Sequence, residues 1–122
     1  MAAEDIRIET YTLGALETNA YLVINPEGTR AFVIDPGDGP EPLLRRIDEL
    51  GVKVEAIVLT HAHFDHIAGV GDVRRACGCP VWVHGLEADW LTDPRKNGSL
   101  LWPDVTPPIA HEPAEHTLDD GM

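Results

Sequence analysis

Residues 60–69 read Thr60-His61-Ala62-His63-Phe64-Asp65-His66-Ile67-Ala68-Gly69, "THAHFDHIAG". Four side chains of metal-ligand type, His61, His63, Asp65 and His66, fall within six positions of a chain that has six histidines in all. Imidazole and carboxylate are the donors that zinc and related divalent ions take, provided rigid backbone delivers them. The residues just before the cluster, "VEAIVLT" (54–60), are apolar and β-branched and read as a buried strand. A loop leaving such a strand starts from a fixed point. His61 and His63 are two apart, and a shared metal is expected to require a turn after Thr60. Asp65 and His66 are adjacent at a helix start and diverge, which suits a second metal.

Upstream, residues 6–14 ("IRIETYTLG") alternate, and residues 19–25 ("NAYLVIN") are nearly continuous in apolar side chains. Both read as strands. Pro26 to Gly28 is a turn, and "RAFVIDPG" (30–37) is a strand stopped at Asp35-Pro36-Gly37, so residues 21–34 form a hairpin. In "GPEPLLRRIDELG" (39–51), Leu43, Leu44, Ile47 and Leu50 share one helical face, with Pro40 and Pro42 near the start and Gly51 at the stop. The spacing predicts a helix over 41–50. Strand, helix and strand with short links make a crossover unit, so the strands ending at Asp35 and Thr60 are expected to be parallel neighbours. A second helix is predicted over 66–77 from Ile67, Val70, Val73 and Ala76, followed by a short strand, "PVWVH", ending at His84. Ligands of open α/β sheets gather at the C-terminal ends of strands, where Asp35, the His61–His66 cluster and His84 all emerge.

The last thirty residues change character. Pro94, Pro103, Pro107, Pro108 and Pro113 fall there, with Leu101-Trp102 as the one strong apolar anchor and no periodic element. The expected division is residues 1–91 as one half of a domain and residues 92–122 as a Pro-rich segment leading toward a further half.

Length allows one small domain. The formal charge of −12, from 21 acidic and 9 basic side chains, repels a phosphate backbone and excludes nucleic acid as an expected partner. No apolar run has the length of a membrane span, and the N-terminus has neither a basic start nor an apolar h-region, so a cytoplasmic location without membrane contact is expected. Cys77 and Cys79, spaced C-x-C, read as reduced structural thiols.

The segment "THAHFDHIAG" resembles the H-x-H-x-D-H signature of the metallo-β-lactamase fold, and in particular of its glyoxalase II-like (hydroxyacylglutathione hydrolase-like) members. "NAYLV", "FVIDPG" and "IVLTHAHFDHIAG" occur in the order found in that family's N-terminal half, so the resemblance covers residues 8–84. It implies an α/β (α+β) chain, namely the first αβ half of an αββα sandwich, a mixed sheet with helices on one face. His61 and His63 would then bind one metal and Asp65 and His66 a second, with Asp35 supporting the loop from behind. Two zinc ions are the implied cofactor, with iron or manganese as alternatives.

The implied reaction is hydrolysis of a small-molecule thioester, of the acyl-glutathione kind, by a metal-bound hydroxide that Asp65 orients. An iron-dependent sulfur dioxygenase, a lactonase, or a non-catalytic metal-binding or interaction fragment are the rival readings. The family's later histidines and bridging aspartate have no counterpart here, so the chain is expected to be incomplete. His111 and His116 lie in a Pro-rich stretch and His84 at a strand end, and none is assigned to metal. The second sheet face, including apolar residues of 21–24, is expected to lack a covering layer and to favour self-association.

Overall fold

The computed structural model of the chain describes residues 5–119. Its elements run β1 (Arg7–Leu13), β2 (Thr18–Ile24), β3 (Arg30–Ile34), α1 (Glu41–Leu50), β4 (Lys53–Val58), α2 (Phe64–Ile67), α3 (Val70–Cys77), β5 (Val81–His84) and β6 (His116–Leu118). Single 3₁₀ segments cover Gly85–Trp90 and Ser99–Leu101. All six strands join one sheet whose spatial order is the chain order. The first three pair antiparallel and the last four parallel, with β3 against β4 as the crossover reading requires.

Alternation along the strands sorts side chains to two faces. Leu22, Ile24, Val33, Ile57, Val81 and Val83 are buried in one core with Leu43 and Ile47 of α1, Ile67 of α2, and Val70 and Val73 of α3. The helices therefore cover one face. On the other, Ile8 pairs with Val23 and Val23 with Phe32, and Ile8 and Phe32 are 61% and 46% exposed. The open face exists, but Leu22 and Ile24 do not belong to it. Among the described residues no helix is long and apolar enough to cross a membrane.

Three expectations need correction. The helix predicted over 66–77 is two helices, broken at Ala68-Gly69, because Gly69 docks on the loop after β3. Its amide donates to Pro36 O at 2.8 Å, and a Cβ there would lie 2.2 Å from Gly37 O. The turn after Thr60 is also followed by helix earlier than expected, from Phe64.

The third correction is the largest: the Pro-rich tail, where no periodic element was expected, is packed and ends in a short strand. Leu91 and Ile109 join the core, and His116 begins a sixth strand that pairs with β5 through Trp82↔His116, the two rings stacking at 4.2 Å. Asn97 and Ser99, both buried, stitch the tail together. The Asn97 amide donates to Trp90 O at 2.9 Å and Ile109 O at 2.8 Å and accepts from Ser99 N at 3.0 Å, while Ser99 Oγ accepts from Ile109 N at 2.9 Å. Satisfied polar groups let an irregular segment be buried without proteinlike periodicity.

His111 closes the tail onto α2. Its Nε2 donates to Ile67 O at 2.7 Å, and burial pushes its pKa below the ordinary histidine value of 6.5. A folded-state value below the unfolded one means that the unfolded chain takes up the proton first. The His111 contribution to stability is thus complete above the unfolded value and is lost as pH falls through the depressed folded value. Thermal melts between about pH 8 and about pH 5 should therefore show a steeper acid loss in the native chain than in His111→Gln. Equal slopes would remove His111 from the acid response.

Candidate metal centre

β4 ends at Val58, and the chain bends at Thr60 before entering α2. From there the backbone alternates. Ala62 and Phe64 are buried, His63 is exposed, and His61 and Asp65 are partly exposed. Residues two apart in extended chain share a face, so His61 and His63 come together through this alternation; the expected need for a turn to join them does not hold. Their ring centroids are 5.0 Å apart. His61 and His66 lie closer, at 3.9 Å, and Asp65 Oδ2 is 3.5 Å from His66 Nε2. At the C-terminal edge of the sheet His61 thus neighbours both His63 and His66, and Asp65 neighbours His66. Neither His63 nor Asp65 belongs to the donor group of three that converges among the described residues. Beside them is an open cleft of about 450 Å³ whose lining includes Thr18, Tyr21, Asp35, Thr60, Asp65 and His66.

Asp35 organises this edge from beneath. It is buried, and its φ of 51° lies in the left-handed region that Asp tolerates better than most side chains. Its Oδ1 accepts Thr60 N at 2.8 Å, and its Oδ2 accepts both the Thr60 hydroxyl and His66 Nδ1, the latter at 3.0 Å. A carboxylate only accepts, so His66 carries its proton on Nδ1. The Thr60 hydroxyl spends its one proton on Asp35, so its oxygen accepts from His61 Nδ1 at 3.0 Å. One carboxylate therefore engages Nδ1 of both histidines, directly for His66 and through Thr60 for His61, and Nε2 is left as the nitrogen that each neutral ring can offer to a metal. Burial, followed by the neighbouring His66, holds the His61 pKa below the usual histidine range.

Donor atoms of Asp35, His61 and His66 lie within 4.8 Å of one another. The hydrogen bonds already accepted by Asp35 suit it to holding these rings. Asp65 is oriented by Thr18, whose hydroxyl donates to Asp65 Oδ2 at 2.8 Å. His63 faces Trp90, with ring centroids 5.5 Å apart. His84 accepts from Leu86 N, His111 bonds Ile67 and His116 stacks on Trp82, so none of the three stands in the cluster. Sequence reading missed Thr18, and also Glu87, whose Oε1 accepts Ala62 N at 2.7 Å. Neither sits in a motif, and only the folded contacts single them out.

The metallo-beta-lactamase superfamily matches residues 13–121. The chain belongs to that superfamily. Among relatives, a probable metallo-hydrolase, YqgX of Bacillus subtilis, is 36% identical over 110 residues, covering 89% of this chain and 50% of the relative. The hydroxyacylglutathione hydrolase GloC of Haemophilus influenzae is 32% identical over 77 residues, 63% of this chain and 36% of that protein.

Two solved structures superpose closely on the chain. The BLEG-1 B3 metallo-beta-lactamase superposes with a TM-score of 0.85 at 38% identity, covering 93% of this chain and 54% of the other. TTHA1623 in a di-iron-bound form superposes at 0.77 with 37% identity, covering 93% and 55%. The superfamily chain described here spans half or less of the length of the curated relatives named above.

Proposed function

We propose that this chain carries the first half of a dinuclear metallo-hydrolase centre acting on a thioester, with His61 and His63 toward one divalent ion and Asp65 and His66 toward the other. The observation that carries the reading is the pairing of acceptors. His66 Nε2, the ring nitrogen that Asp35 does not engage, faces Asp65 Oδ2 at 3.5 Å. Two acceptors at that separation fit a cation, and an imidazole and carboxylate donor set fits zinc, iron or manganese. The hydroxyacylglutathione hydrolases among the relatives support a thioester, and the di-iron neighbour supports iron beside zinc.

Metal bound here would supply an activated water at neutral pH and polarise the acyl carbonyl. The chain's own residues do the rest. Asp35 engages Nδ1 of His66 directly and of His61 through Thr60, so Nε2 is the nitrogen each neutral ring offers to a metal. Thr18 fixes the Asp65 carboxylate, so that Asp65 can orient the attacking water. The leaving thiolate needs no side-chain acid, because thiols are acidic enough to depart as anions.

Four donors shared by two ions give each about two protein ligands, against the roughly three of a catalytic zinc. The isolated chain should therefore bind zinc weakly and turn over an acyl-glutathione thioester little or not at all. Titration calorimetry should show zinc heat that His61→Ala removes. No zinc binding by the native chain would sink the metal reading, and brisk hydrolysis abolished by His61→Ala would sink the half-site reading.

The open sheet face belongs to the same proposal, as the surface through which the chain self-associates. Sedimentation of the native chain should show a species larger than a monomer that Phe32→Glu shifts to monomer, since a charge at that position disfavours apolar contact. A native chain that sediments as a monomer at every concentration would contradict it.

A further inference from the structure

The metal loop is held from the side of the tail as well as from Asp35. Its inward-facing amides alternate, and each is taken by a different part of the chain. Thr60 N donates to Asp35 at the end of β3, Ala62 N to Glu87 in the turn after β5 at 2.7 Å, and Phe64 N to the Asn97 carbonyl in the tail at 2.9 Å. His111 then takes Ile67 O at 2.7 Å. The four-residue helix α2, which carries Asp65 and His66, is thus tied at its first residue by Asn97 and at its last by His111. A helix of one turn cannot hold itself, because nucleation costs more than one turn returns. Its geometry comes from these ties.

We infer that Glu87, Asn97 and His111 are positioning residues that clamp the H-x-H-x-D-H loop in its ligating shape, an inference that rests on the metal reading proposed above. Glu87 has the most direct leverage. Ala62 lies between His61 and His63, its methyl is fully buried, and its peptide plane sets the direction in which both neighbouring rings leave the backbone. With the methyl packed and the amide bonded to Glu87, that plane has no freedom to rotate. Asn97 acts through its carbonyl, which its side-chain bonds to Trp90 and Ile109 hold in place.

The test compares Glu87→Ala with Glu87→Gln in the full chain. The glutamine carbonyl can still accept from Ala62 N but carries no charge, so it separates positioning from the field of the carboxylate at His61. Two readouts are needed: cobalt(II) titration followed by its visible ligand-field spectrum, and hydrogen exchange at the Ala62 amide in metal-free protein. Glu87→Ala should weaken cobalt binding by about 10–100-fold, as loss of a group that orients ligands does. Its Ala62 amide should exchange about tenfold faster or more. Glu87→Gln should stay within about threefold of the native chain on both.

Unchanged Ala62 exchange in Glu87→Ala, or a Glu87→Gln chain as impaired as Glu87→Ala, overturns the positioning role. Native-like cobalt affinity in Glu87→Ala does the same. If the native chain binds no cobalt while Ala62 exchange still responds as expected, the metal reading fails and the clamp on the loop stands.

Discussion

Asp35→Asn is expected to weaken divalent metal binding by about 10–100-fold in a chain that still folds. Asparagine accepts the left-handed backbone at φ 51°, and its carbonyl can still receive Thr60 N. What changes is the other oxygen. An amide NH₂ in its place presents hydrogens to the Thr60 hydroxyl and to His66 Nδ1, and both partners must reverse. His66 then carries its proton on Nε2, the atom that faces Asp65, and Thr60 no longer fixes His61. Zinc calorimetry reads the affinity, and imidazole nitrogen shifts read the tautomer. Native affinity in Asp35→Asn would show that the carboxylate does not set the ring protonation. Asp35→Ala should add a fold defect of about 1–3 kcal/mol, because the Thr60 amide loses its partner.

Gly69→Ala is the second large effect. A methyl at this position would stand 2.2 Å from Gly37 O and 3.0 Å from Pro36 O, both backbone atoms that cannot rotate away. The neighbouring loop is equally tight, since a Cβ on Gly37 would lie 2.9 Å from Asp65 O. The loop after β3 and the start of α3 interlock, and one carbon atom pries them apart. The expected loss is at least about 3 kcal/mol, at the upper end of overpacking effects. Gly85→Ala is the control, because nothing lies near its added methyl, and it should stay within about 0.5 kcal/mol. Urea unfolding of the two variants decides the matter. A Gly69→Ala chain as stable as the control would mean that the interlock relaxes at little cost.

The sequence was most informative where burial imposes a period. Leu43 and Ile47 marked α1, and the apolar run into Thr60 marked β4 and placed the histidines at its C-terminal end. Four features stayed hidden for separate physical reasons. Strand β6 has only three residues and lies at the sheet edge, so burial imprints no alternation on His116–Leu118. The tail hub is polar: Asn97 and Ser99 in "DPRKNGS" have the composition of an exposed turn, and only their mutual hydrogen bonds allow them to be buried. At the site, the ligand-type residues were visible because they cluster in six positions. Thr18 and Glu87 were not, since each meets the cluster from a distant part of the chain. The break at Gly69 depends on a contact with Pro36 and Gly37 that no local pattern encodes.

Strand order and chain order coincide, and this has a consequence for synthesis. Each strand pairs with the one made just before it, so the sheet can assemble from its N-terminal edge as the chain leaves the ribosome. The histidine loop does not share that convenience. Its last tie, from His111 to Ile67, spans 44 positions. At about 5–20 residues per second, the loop waits roughly 2–9 s for that tie to emerge. During that interval His61, His63 and His66 are displayed on a loop that Asp35 can hold but the tail does not yet, ready to meet any ion at hand but not fully shaped to select one. Selection of the metal therefore waits for those ties, and ribosome-bound chains halted before Asn97 should capture zinc and cobalt with less discrimination than ribosome-bound chains extended past His111.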